Sequence, residues 1–110
     1  MDYLPIFLDL KGRSCVLVGG GEVAARKVRL LLKAGARVTV YAPDLGETLA
    51  GLVREGKIEH RKAVFEPALL DDCVLAIAAT DDKAVNRAVY EAATARRIPV
   101  NVVDQPELCT

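Results

Sequence analysis

The sequence is poor in the residues from which metal centres and disulfide frameworks are built. Its 110 residues include no tryptophan, a single histidine and three cysteines. Cys15, Cys73 and Cys109 are odd in number and lack Cys-x-x-Cys spacing. This pattern favours reduced thiols over disulfides or a metal site, so no metal ligand is assigned. His60 lies on a short predicted strand and is interpreted as a surface or edge residue rather than a catalyst.

The chain also lacks net charge and long apolar runs. Fifteen basic and fifteen acidic side chains cancel, which argues against nucleic acid or an anionic membrane as a partner. No apolar segment has membrane-spanning length, and the first residues do not resemble a signal peptide. With 52% hydrophobic and 27% charged residues, the sequence predicts one cytoplasmic α/β domain over residues 1–110.

What the sequence does contain is the pattern Gly-x-Gly-x-x-Ala, which runs from Gly19 to Ala24 between a predicted strand and a predicted helix. In that setting the pattern is typical of dinucleotide-binding domains. Gly19 permits a tight turn, Gly21 lets the backbone approach a pyrophosphate, and Ala24 lets helix and strand pack closely. A tight turn without a ligand is the alternative explanation.

Strand and helix patterns alternate along the rest of the chain. Apolar, β-branched runs predict strands over residues 15–18, 38–41, 58–61, 74–78 and 100–103. Helical spacing predicts helices from Glu22 to Gly35, over 45–55 and over 83–96. This alternation predicts a Rossmann-like, doubly wound, mostly parallel sheet with strand order 3-2-1-4-5. Ligands bind between the first and fourth strands of such a sheet. Residues 6–10 are compatible with a further edge strand or an extended leader.

Thr80 follows the fourth predicted strand, at the carboxyl edge of the sheet beside the glycine turn. Its hydroxyl can bond a ribose or a phosphate. It can equally begin the helix at Lys83, a task that Asp81 or Asp82 could share.

The second predicted strand ends without the acidic residue that usually binds the adenosine ribose in such domains. Tyr41 and Ala42 occupy that position, and Asp44 follows after Pro43. Asp44 either reaches the ribose or is a turn residue. No Arg or Lys follows this strand closely enough to meet a 2′-phosphate, which favours NAD over NADP.

Asp104 ends the fifth predicted strand, near the position expected for a nicotinamide ring. A carboxylate there could accept a proton while a hydride leaves the substrate. The residues alone favour the alternative, a solvated aspartate before the turn at Gln105 and Pro106.

Several motifs, in order, resemble the N-terminal module of siroheme synthases, the precorrin-2 dehydrogenase and sirohydrochlorin ferrochelatase family. They are PIFLDL (5–10), GGGEVAARK (19–27), GARVTVYAP (35–43), AATDD (78–82) and NVVD (101–104). The resemblance implies NAD-dependent oxidation of precorrin-2 to sirohydrochlorin, with Fe²⁺ insertion in many members. It implies a catalytic Asp104 and a substrate contact at Asn101. It also implies cofactor contacts at Gly21, Glu22, Val23, Pro43, Asp44 and Thr80, and the glycine pattern adds Gly19 to the cofactor site.

Members of that family continue beyond the position of Thr110 with a dimerisation region, a helical domain and, in the longest, a methyltransferase domain. We therefore expect this chain to be the NAD-binding portion of a homodimeric parent. An open strand edge predicts self-association or partial disorder of residues 105–110. The alternatives are a dehydrogenase for another small substrate and a regulatory module that binds NAD(H) without chemistry.

Overall fold

The computed structural model describes residues 6–103 and 108–110, so the predicted catalytic Asp104 lies outside the described residues. Strands and helices alternate as the sequence predicts. The elements are β1 (Ser14–Val18), α1 (Glu22–Lys33), β2 (Arg37–Tyr41), α2 (Glu47–Arg54), β3 (Glu59–Arg61), a 3-10 helix (Pro67–Leu70), β4 (Leu75–Ala78), α3 (Lys83–Ala95) and β5 (Val100–Val102). The 3-10 helix was not predicted. Residues 6–10 form no strand.

The five strands form one sheet in the order β3-β2-β1-β4-β5, and every neighbouring pair is parallel. The predicted Rossmann-like topology is therefore confirmed. Val18, the last residue of β1, is paired with Tyr41 of β2 and with Ala78 of β4. The carboxyl ends of these three strands consequently lie side by side, and the loops that follow them meet at one edge of the sheet.

Helices cover both faces of the sheet. On one face Cys15 and Leu17 pack in a core with Val28 of α1 and Leu49 of α2. On the other face the intervening β1 residues pack with Val89 of α3. Residues 15–18 are each at most 5% exposed. Burial on both faces explains why this strand is continuously apolar rather than alternating.

The buried side of α3 differs from the one that helical spacing predicts. Helical spacing predicts that the buried side consists of Val85, Ala88, Val89 and Ala92. Val89 and Ala92 are buried, but Ala88 is exposed and Asn86 is buried. Hydrophobic spacing places a polar residue on the outer face by default. The structure instead buries the Asn86 side chain, which forms hydrogen bonds with the loop that precedes the helix.

The outer edge of β5 is occupied by residues 108–110. The Thr110 amide donates to the Val100 carbonyl at 2.8 Å, and the Val100 amide donates to Thr110 Oγ1 at 2.7 Å. The Val102 amide donates to Cys109 Sγ at 3.3 Å. The expectation of exposed backbone groups is thus wrong at Val100 and for the Val102 amide. Self-association stays a prediction, and residues 105–107 lie outside the described residues.

Candidate functional site

A cleft of about 740 Å³ lies at the carboxyl edge of the sheet. Its walls are the segments that follow the first four strands, and α3 adds one side chain. The lining residues are 18–23, 41–44, 62–65, 79–82 and Val85. The cleft therefore lies where the winding of the sheet reverses between β1 and β4, the position at which open α/β sheets bind ligands.

The three glycines after β1 differ in what surrounds them. Gly19 has φ +141°, and a side chain there would collide with the Ala79 carbonyl oxygen. A side chain on Gly20 would collide with the Asp44 carbonyl oxygen. Gly21 has an extended conformation, with φ −93°, and no described heavy atom lies within 4 Å of a Cβ built on it. The fold therefore requires Gly19 and Gly20, whereas space beside the cleft is left open at Gly21.

Gly21 is also the N-cap residue of α1. Because it has no side chain, it forms no hydrogen-bonding cap. The amides of Glu22 and Val23 belong to the first turn, where N–H groups have no partner within a helix. An anion at this end of the helix would meet those amides and the positive end of the helix dipole. The Glu22 carboxylate instead lies 3.4 Å from the Thr48 hydroxyl. Any contact of Glu22 with a phosphate would therefore use its backbone.

The loop after β2, which carries Pro43 and Asp44, is held from two sides. The Ala42 amide donates to the Arg61 carbonyl at 3.3 Å, and the His60 ring nitrogen Nε2 bonds the Ala42 carbonyl at 2.8 Å. On the other side the Gly46 amide donates to the Gly20 carbonyl at 2.7 Å. His60 thus lies on the edge strand β3, as one of the two predicted alternatives had it, and its partly buried ring supports this loop.

Hydrogen bonds in the loop after β4 identify the residue that caps the N-terminus of α3. Asp82 is the capping residue, because its Oδ1 accepts from the Ala84 amide at 2.9 Å and the Val85 amide at 3.2 Å. Thr80 is not needed for that task. Its hydroxyl lies 2.7 Å from Asn86 Oδ1 and accepts the Asp82 amide at 3.1 Å. With its proton donated to Asn86, the hydroxyl can meet a ligand only as an acceptor.

Lys62 is a cleft residue to which the sequence pattern gave no role. It follows β3, and the pairing of Arg61 with Tyr41 places the ends of β3 and β2 side by side. Among the described lining residues it is the one cation, and the same lining includes the acidic residues Glu22, Asp44, Asp81 and Asp82. A lysine that follows the neighbouring strand thus brings to the cleft the basic group that is missing after β2.

The cleft also has an apolar wall that was not predicted. Tyr41 and Phe65 pack against the core on the α3 side of the sheet, as does Val85. Val64 lies on the same lining segment and is 84% exposed. Flat apolar side chains beside a few polar groups are typical of sites for ring-containing ligands.

Asn101 does not line the cleft. It lies on β5 opposite Ile77, and its Nδ2 donates to Cys109 Sγ at 3.5 Å. Its Oδ1 is buried and has no hydrogen-bond partner within residues 6–103 and 108–110. Asp104 lies outside the described residues. The substrate contact of Asn101 and the catalytic role of Asp104 therefore stay predictions.

The described residues that line this cleft include no histidine or cysteine. Within the described part of the chain, no group of three or more His, Cys, Asp or Glu side chains is arranged to hold a metal. No disulfide joins Cys15, Cys73 or Cys109. Burial raises the pKa of the Cys15 thiol to about 11, with a smaller contribution from Cys73, and burial also raises the pKa of Cys73. Both thiols are neutral packing groups.

Comparison with known proteins agrees with this geometry. The NAD_binding_7 family, described as "Putative NAD(P)-binding", matches residues 6–110. The chain belongs to this family. The match includes all four segments that line the cleft, so a nicotinamide dinucleotide is the ligand class expected of the family.

Two curated relatives and one solved structure narrow this family to a smaller group. The chain is 64% identical over its whole length to the siroheme synthase of Methylobacillus flagellatus and 58% identical to that of Nitrosospira multiformis. It spans 24% of the length of each. A structure titled "SirC, precorrin-2 dehydrogenase" matches with a TM-score of 0.74 and 33% identity over 79% of this chain and 44% of that one. The predicted resemblance to siroheme synthases is confirmed.

None of the described helices is long and apolar enough to cross a membrane.

Proposed function

We propose that residues 1–110 form an NAD(H)-binding domain whose role is the oxidation of precorrin-2 to sirohydrochlorin. The observation that carries the proposal is the open space at Gly21, beside free first-turn amides in the cleft where the sheet reverses its winding. Similarity to siroheme synthases and to a precorrin-2 dehydrogenase supports the substrate. A bound NAD⁺ supplies the hydride acceptor, and this chain's residues hold and orient it.

The parts of the cleft match the parts of a dinucleotide in chemistry. The phosphates suit Gly21 and the amides of Glu22 and Val23, where no side chain intrudes. The adenosine ribose suits the Asp44 carboxylate, and the adenine ring suits the apolar wall that contains Phe65. Thr80 lies on the wall formed by the loop after β4. There its remaining lone pair would accept a hydrogen bond from the cofactor.

We infer a preference for NAD over NADP from the opposite charges of Asp44 and Lys62. Asp44 would accept hydrogen bonds from ribose hydroxyls and repel a 2′-phosphate, whereas Lys62 would attract one. Asp44 follows β2, the strand whose end usually binds the adenosine ribose. We therefore expect Asp44 to influence the cofactor preference more than Lys62 does. Calorimetry with NAD⁺ and NADP⁺ tests this balance. Asp44→Asn should narrow the preference for NAD⁺, and Lys62→Ala should widen it. Tighter binding of NADP⁺ by the unchanged chain would contradict the preference.

The chemical step rests on residues at the end of β5. We propose that Asp104 accepts the proton that precorrin-2 loses as its hydride departs, and that Asn101 contacts the tetrapyrrole. Iron insertion into sirohydrochlorin, a homodimeric parent and a cytoplasmic location are further proposals based on the resemblance to siroheme synthases.

The experiment that tests the reaction is a chimera. This chain replaces the matching 110 residues of the Methylobacillus flagellatus siroheme synthase, to which it is 64% identical. The chimera should form NADH from NAD⁺ when precorrin-2 is supplied. A matched chimera that carries Gly21→Val should form none, because the side chain enters the space required by the phosphates. The chimera could also bind NADH as tightly as the intact relative but form no NADH from NAD⁺ and precorrin-2. In that case the domain is a nucleotide-sensing module and the proposed reaction is wrong.

A further inference from the structure

Asn86 is the one polar residue in the core of the described part of the chain. It is 2% exposed and lies on the buried side of α3, in the turn before Val89. Burying a side-chain amide opposes folding unless both its donor and its acceptor are satisfied. A leucine of similar size would fill such a position without that cost. The presence of an amide therefore calls for an explanation in its hydrogen bonds.

Three of its hydrogen bonds reach one residue of the cleft. Asn86 Nδ2 donates to the Thr80 carbonyl at 3.0 Å. Asn86 Oδ1 lies 2.7 Å from the Thr80 hydroxyl, which donates to it, and 3.3 Å from the Thr80 amide nitrogen. One side chain thus engages the amide, the carbonyl and the hydroxyl of Thr80.

Thr80 belongs to the loop that forms the wall beside the glycine turn. The preceding residue, Ala79, donates its amide to the Val18 carbonyl at 2.8 Å, and its own carbonyl lies against Gly19. The loop is therefore anchored to β1 at Ala79 and to α3 at Thr80. Asn86 itself does not line the cleft, so any effect of Asn86 on a bound ligand must act through this loop.

We propose that Asn86 is a positioning residue for the cofactor, which fixes the loop after β4 in the form that accepts the dinucleotide. This inference rests on the proposed binding of NAD(H). Without the amide, the polar groups of Thr80 would have to find water, and the loop would open to reach it. Binding would then include the cost of ordering the loop again, which lowers affinity without removing any direct contact.

The test compares two buried positions on the same helix. Asn86→Leu keeps the core filled but removes every hydrogen bond to Thr80, whereas Val89→Ala leaves those bonds and creates a cavity in the core. By calorimetry, Asn86→Leu should weaken NADH binding about tenfold, and Val89→Ala should leave it within about twofold. In hydrogen exchange without cofactor, the Thr80 amide should lose protection in Asn86→Leu and keep it in Val89→Ala.

Three outcomes would overturn the proposal. In the first, Asn86→Leu binds NADH as tightly as the unchanged chain. In the second, Val89→Ala weakens binding equally, which would make the effect one of general stability. If Asn86→Leu does not fold, Asn86→Ala is the substitute, because it also removes the bonds to Thr80 and leaves a cavity like that of Val89→Ala. Unchanged affinity in Asn86→Ala would be the third outcome. Failure of the unchanged chain to bind NADH would instead refute the proposed function.

Discussion

Replacing Gly21 with alanine should separate cofactor binding from folding. Gly21 has φ −93° and ψ −165°, which an alanine adopts without strain, and no described heavy atom lies within 4 Å of the added Cβ. Losing glycine reduces the entropy of the unfolded chain, while alanine is a poorer first residue for α1. These two effects are each about 0.5–1 kcal/mol and of opposite sign, so the free energy of unfolding should change by less than about 1 kcal/mol.

Affinity for the cofactor should respond quite differently. The added methyl group would occupy the space through which the backbone approaches the phosphates. We expect the dissociation constant for NAD⁺ to rise at least about tenfold, which corresponds to about 1.4 kcal/mol. Gly21→Val should abolish binding because its side chain extends further into the same space.

Gly56→Ala is the matched control. Gly56 lies between α2 and β3, away from the cleft, and has φ +73° with no described atom near an added Cβ. The left-handed conformation should cost about 1–2 kcal/mol of stability, and affinity for NAD⁺ should not change. Calorimetry and urea unfolding of the two variants measure both quantities. Unchanged NAD⁺ affinity in Gly21→Ala would refute the reasoning, because the open space at Gly21 would then have no role in binding.

Three further substitutions test other parts of the structure. Asp104→Asn in the chimera should slow precorrin-2 oxidation by about a hundredfold or more while NAD⁺ affinity stays the same, and turnover near the parent rate would remove its role as base. Asp82→Ala should lower the free energy of unfolding by about 0.5–2 kcal/mol in urea unfolding, because α3 loses the cap that accepts two amides. Burial raises the pKa of Cys15 from 9.0, the ordinary value of a thiol, to about 11. The unfolded chain therefore loses this proton first, and stability should fall as pH rises through that range. Cys15→Ala should reduce that fall, and an equally steep fall in the variant would contradict the assignment.

Topology was predictable from the sequence because each strand is bounded by clear signals. The run from Cys15 to Val18 is continuously apolar, and the glycine turn follows it directly. Both features leave a mark in the sequence because packing demands particular residue types: apolar residues where the strand is buried on two faces, and glycine where Gly19 closely approaches Ala79. Strand order then followed from the handedness of parallel connections. The 3-10 helix at Pro67–Leu70 is too short to have a period of its own.

The residues of the cleft were only partly predictable, because side chains from different loops meet there. Lys62 and Phe65 follow β3 and enter the cleft through pairing between strands, which spacing along the chain does not reveal. The contact of Asn86 with Thr80 was not predicted either, because helical spacing assigns a polar residue to the outer face of α3 by default. The predicted strand order did contain one signal for Lys62. Because the strands are parallel, the end of β3 lies beside the end of β2, at the same edge of the sheet as the glycine turn.

The most direct test of the central claim is a titration of this chain with NADH, followed residue by residue by NMR. We expect the shift changes to concentrate in residues 19–23, 42–44 and 79–82, which line the cleft. Residues around the smaller cavity at the opposite edge of the sheet, such as Arg37 and Gly56, should not change. Saturation with this distribution would support a dinucleotide site at the glycine turn. No shifts, or shifts centred on Arg37 and Gly56, would contradict it.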